Sequence, residues 1–138
     1  MKKIINVAVL TLVALFSASS FAKWHGCQEQ NLVFFAYNMK HTKAVELCQT
    51  EEGYRYTFGP VGKPEITLEK ESGDVTRGGG MAGGFDVKNG NIIYGVMEDK
   101  FGNSALIVQK SDYSKVLAEI ELDSGDKTYV NKTYEYFH

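Results

Sequence analysis

Tyr54, Tyr56 and Phe58 alternate with Arg55 and Thr57, a period of two that puts three aromatic rings on one face of an extended segment. A helix would scatter those rings around its circumference, so the stretch is committed to a β-strand. Ile66 and Leu68 repeat the pattern between Glu65, Thr67 and Glu69. Residues 31–37 and 91–98 are apolar on both faces, as strands covered from both sides require. Sharp punctuation separates these runs: residues 38–42, Gly59-Pro60-Val61-Gly62-Lys63-Pro64, Glu71-Ser72-Gly73-Asp74, and Asn89-Gly90, the last a strong two-residue hairpin signal. Further runs at 43–48, 85–88, 104–110, 115–122 and 127–137 complete an all-β reading. It is a single antiparallel meander of about seven or eight strands that forms a small barrel or a sandwich. Residues 115–122 fit strand alternation at Val116, Ala118, Ile120 and Leu122. They also fit helical spacing at Tyr113, Val116, Leu117 and Ile120 behind an Asp112 cap, and the neighbouring strands favour a strand.

The start of the chain predicts export. Lys2 and Lys3 precede an apolar run over residues 4–16, and small residues follow as far as Ala22. This is the pattern of a signal peptide over 1–22, cleaved after Ala22. The apolar run is shorter than the roughly 20 residues that a bilayer core needs, so the expected product is periplasmic, with no membrane attachment once the leader is removed. One β domain over 23–138 remains. Losing Lys2 and Lys3 takes the net charge from -2 to -4, and the charges are scattered, which leaves no electrostatic footprint for nucleic acid.

Cys27 and Cys48 are the two cysteines of the 138-residue chain. An even count in an oxidising compartment predicts one disulfide between them. Closing a loop of about 20 residues contributes on the order of 3 kcal/mol. An intermolecular bond would instead give a homodimer, the second assembly considered. His25-Gly26-Cys27 offers two of the four ligands of a closed zinc site, so neither a metal nor a cofactor is expected.

Nucleophilic catalysis needs a nucleophile, a base and an orienting group. His25 and His138 lie near the ends of the mature chain and His41 at a hairpin tip, so no catalytic residue is assigned. Asp86, Glu98 and Asp99 are the carboxylates that a small envelope-polymer hydrolase would use as acid and base. Tyr54, Tyr56, Phe58, Tyr129, Tyr134, Tyr136 and Phe137 could stack a sugar or other ligand, although β domains also spend such rings on core pairs. The least ordinary stretch is Arg77-Gly78-Gly79-Gly80-Met81-Ala82-Gly83-Gly84. No helix start or Lys-Ser/Thr pair follows it, so it is not a phosphate cradle. It reads as a loop or bulge with a capacity for binding: Gly79 and Gly80 admit close backbone approach, Met81 offers an adaptable apolar contact, and Arg77 an anchor for an acidic group.

Val45-Glu46-Leu47-Cys48, followed by Tyr54-Arg55-Tyr56-Thr57-Phe58-Gly59 and Gly62-Lys63-Pro64-Glu65, resembles a group of small exported periplasmic β-proteins of Gram-negative bacteria with no assigned activity. The resemblance implies export and β structure. In size, leader, disulfide and lack of a catalytic set, the chain is also similar to the periplasmic lysozyme inhibitors, whose Ser-Gly-x-x-Tyr loop enters the hydrolase cleft. Ser124-Gly125-Asp126-Lys127-Thr128-Tyr129 has one residue more than that motif, and the analogy implies partner contacts at Ser124, Gly125 and Tyr129. The expected function is a non-catalytic periplasmic binding protein, an inhibitor or immunity protein whose partner is a peptidoglycan hydrolase or a secreted antibacterial effector. The alternatives are the carboxylate hydrolase and the sugar- or ligand-binding module.

Overall fold

The computed structural model of the protein describes residues 26–78 and 83–137. The leader lies outside them, as do His25, Gly79, Gly80, Met81 and His138. Two antiparallel sheets of five strands enclose a common core. In the first sheet β1 (Leu32–Tyr37), β2 (Ala44–Gln49), β3 (Gly53–Gly59) and β4 (Ile66–Glu71) follow in chain order. The second runs in the same way through β5 (Val75–Arg77), β6 (Gly83–Asn89), β7 (Ile92–Glu98), β8 (Ser104–Lys110) and β9 (Val116–Leu122). A two-residue β10 (Val130–Asn131) returns to the outer side of β1, and a one-turn helix α1 (Thr133–Tyr136) ends the described chain.

The predicted aromatic face is present. Tyr54, Tyr56 and Phe58 are buried while Arg55 and Thr57 are half-exposed. Tyr56 has no exposed surface and sits 5.4 Å from the Tyr94 ring and 6.4 Å from Phe85, so it joins the two sheets. Phe34 meets Phe85 edge-on at 5.4 Å. Fully burying rings of this kind contributes roughly 1.5–3 kcal/mol each. β1 is covered on both faces, as its unbroken apolar run predicts: Val33, Phe34 and Ala36 enter the common core, while Leu32 and Phe35 pack outside with Ala44 and the cysteines. The Cys27–Cys48 disulfide is formed and lies in this outer cluster. β7, also apolar on both faces, is the central strand of its sheet.

Four expectations are corrected. The sheets do not close into a barrel, and ten strands replace seven or eight. After β4 a 3-10 turn at Ser72–Asp74 carries the chain to the second layer instead of extending the first, so each sheet keeps two edges. The edge strands β4 and β9 carry Glu69, Lys70 and Glu71, and Glu119 and Glu121, charges that discourage edge-to-edge pairing. Residues 127–137 are not one strand. Asp126 and Asn131 bind the backbone N–H groups of Thr128 and Thr133, at 3.0 and 3.1 Å. Such local bonds compete with a ladder, and they leave β10 only two residues long. Residues 116–122 are a strand, and the hairpin connection after β6 is Gly90-Asn91, one residue later than the Asn-Gly reading, with Gly90 at φ 62°.

Candidate functional site

Antiparallel order brings three connections of the second sheet to one end: the β5–β6 hairpin, the β7–β8 turn at residues 99–103, and the segment after β9. Arg77 closes β5, exposed and paired with Phe85. Its guanidinium carbon lies 5.9 Å from the centre of the Tyr134 ring, a cation–π contact that steadies a long side chain at the root of the glycine hairpin. Gly78 N–H donates to the Gly84 carbonyl at 3.2 Å and closes that hairpin. Gly83 and Gly84 belong to β6, opposite Glu98 and Met97. Gly84 has φ 136°, and a Cβ there would run into the Val96 carbonyl, so this glycine is required by the sheet itself.

Behind the hairpin lies a half-buried polar network. The Tyr129 hydroxyl donates to Glu98 Oε2 at 2.6 Å and lies 2.7 Å from Ser104 Oγ. Asn131 Nδ2 donates to the same Glu98 oxygen at 3.1 Å. Thr133 Oγ1 donates to Asn131 Oδ1 at 2.7 Å and accepts from Gly84 N–H at 3.1 Å. This chain of bonds ties the C-terminal segment to β6, β7 and β8. Burial, followed by the bond to Glu98, pushes the Tyr129 hydroxyl well above the usual tyrosine range, so it remains a donor at any physiological pH. Its ring packs edge-on against Phe34 at 5.5 Å.

The structure therefore brings Arg77 and Tyr129 to the same end of the second sheet, with Tyr129 turned inward and its hydroxyl engaged. Ser124 and Gly125 lie in the turn after β9, beside Asp123, whose carboxylate is 2.7 Å from His41 Nε2. Asp86 pairs with Gly95, and Glu98 stands three residues further along β7, so the two carboxylates project from opposite faces with the sheet between them. A side chain at position 95 would collide with the Asp86 carboxylate. Asp86 is half-buried, and burial raises its pKa above the usual carboxylate range. Asp99 is exposed and is held below that range, first by the Asn103 backbone N–H and also by those of Phe101 and Gly102. Among the described residues the predicted aromatic surface is divided: Tyr54, Tyr56, Phe58 and Phe137 are buried, and Tyr134 is exposed.

Asn131, Thr133 and Ser104 carry no local sequence signal for this network. Their partners lie up to 49 residues away, and only the return of the chain beside β1 unites them. A separate acidic groove of about 400 Å³, lined by Glu51, Glu52, Tyr54, Glu69 and Glu71 among others, touches none of these residues. Compared with known protein families, characterised proteins and solved structures, the chain matches none, so its functional reading rests on this geometry.

Proposed function

We propose that this chain is a non-catalytic, exported protein-binding domain, an inhibitor or immunity protein that blocks a peptidoglycan hydrolase or a secreted antibacterial effector. The observation that carries the reading is the presentation of Arg77: an exposed guanidinium, steadied by Tyr134, at the root of a glycine hairpin on a disulfide-tied scaffold. A blocking protein needs a stiff support and a projecting contact rather than a reactive group. An exposed arginine matches the carboxylates that such hydrolases use, because charge-assisted, two-pronged pairing with a carboxylate is strong and directional. Gly79, Gly80 and Met81 are the neighbouring contacts we propose, with Ser124 and Gly125, which follow β9 at the opposite edge of the same sheet, as a separate one. A mature charge of -4 favours encounter with a basic hydrolase.

Purified mature protein, titrated against a panel of lysozymes, cell-wall amidases and secreted peptidoglycan-degrading effectors, tests this. The expected result is stoichiometric loss of activity for one of them. Full activity of every member under a large excess of the protein rejects the reading.

A further inference from the structure

We propose that His41, Asp123 and Asp126 form a binding site for a divalent transition-metal ion of the zinc type. One imidazole nitrogen and two carboxylate oxygens lie within 4.8 Å of one another. A mixed nitrogen and oxygen donor set suits zinc and its neighbours, whereas magnesium and calcium take oxygen alone. Three protein ligands leave a coordination position open, the arrangement that accepts water or a donor from a bound partner.

Each donor is held by something other than the metal. The His41 ring stacks on Tyr37, with centres 4.6 Å apart and planes 13° from parallel. Asp123 N–H donates to the Tyr37 carbonyl at 2.8 Å, beside the bridge between Asn38 and Leu122. Asp126 Oδ2 accepts from the Thr128 N–H at 3.0 Å and from the Thr128 hydroxyl. His41 comes from the turn joining β1 to β2 and the aspartates from the segment after β9, so an ion here would fasten one sheet to the other. His41 Nε2 and Asp123 Oδ2 are 2.7 Å apart. Two donors about 2.0–2.1 Å from a tetrahedral zinc ion stand roughly 3.3 Å from each other, so His41 and Asp123 separate slightly on binding, while Asp126 closes in from within 4.8 Å. Asp126 decides between a metal site and a plain ion pair: it takes no part in the His41–Asp123 bond, and only a metal gives it an equal share.

The test is calorimetric titration of the mature, disulfide-linked protein with Zn²⁺, with Mg²⁺ for comparison and melting temperature followed in parallel. One Zn²⁺ per chain and a melting temperature that rises with saturation are expected, with neither effect from Mg²⁺. Asp126→Asn keeps an oxygen for Thr128, and His41→Asn suits the left-handed backbone at φ 57°. Each should weaken Zn²⁺ binding by about tenfold or more. In the unaltered protein, one equivalent of Zn²⁺ should shift the nuclear magnetic resonance signals of the His41 ring, a readout that holds even where a variant folds poorly. The proposal is overturned by absence of saturable Zn²⁺ binding, by undiminished affinity in either variant, or by shifts confined to His25 or His138.

Discussion

Tyr129 and Glu98, 31 residues apart, share a 2.6 Å hydrogen bond that fastens the C-terminal segment to the end of the central strand β7. Replacing Tyr129 by Phe removes the donor and leaves a half-buried carboxylate that still accepts from Asn131. Loss of a bond to a charged group costs about 1.5–3 kcal/mol. Urea unfolding of Tyr129→Phe should therefore show a lower midpoint with an unchanged slope. An unaltered midpoint would mean that the network contributes nothing to stability.

The Tyr56 hydroxyl makes the opposite case. It is buried and without a hydrogen-bond partner among the described residues, and burial, reinforced by Tyr94, raises its pKa far above the usual tyrosine range. Tyr56→Phe removes an unsatisfied polar atom and keeps the ring contacts. The expected result is a stabilisation of about 1 kcal/mol, read as a higher melting temperature. A destabilised variant would show that the hydroxyl has a partner.

Asp86 predicts a pH dependence. Burial raises its folded-state pKa above the ordinary 3.8, so the folded protein binds this proton more tightly than the unfolded chain does. Its contribution is fully favourable below the unfolded value and is lost as pH rises through the raised folded value. Asp86→Asn should be more stable than the parent at pH 7, and the difference should shrink as pH falls into the acid range. Parallel stability curves for the two proteins would contradict the burial argument.

The disulfide spans 21 residues of sequence and ends at a fully buried cysteine. Replacing both cysteines by Ala should cost roughly 3 kcal/mol, seen in thermal or urea unfolding. A loss near zero would mean that the outer cluster of Leu32, Phe35 and Ala44 holds the N-terminal segment unaided.

Local patterns predicted local structure well. Alternation at Tyr54, Tyr56 and Phe58 located β3 and its buried face, and the unbroken apolar runs at β1 and β7 marked strands covered on both sides, because side-chain direction in a strand depends on position alone. The partition into two sheets was not legible, since a short turn at Ser72–Asp74 decides whether β5 extends the first sheet or begins a second. The segment over 127–137 was expected to be one strand. Asp126 and Asn131 divert its backbone by bonds that strand alternation does not reveal. Gly83 and Gly84 read as loop, yet they lie in β6, where the Val96 carbonyl leaves no room for a Cβ on Gly84. Arg77 was singled out by its residue type and its glycine neighbours, which are adjacent in sequence. Its support by Tyr134, 57 positions away, is a product of the tertiary fold.

The central claim is that a partner docks on the glycine hairpin through Arg77. Its most direct measurement is the affinity of the inhibited hydrolase or effector for the unaltered protein and for Arg77→Ala, with the melting temperature of each. A charge-assisted hydrogen bond contributes about 1.5–3 kcal/mol, so the dissociation constant should rise by about tenfold or more while the melting temperature holds. Equal affinity at equal stability would contradict the account.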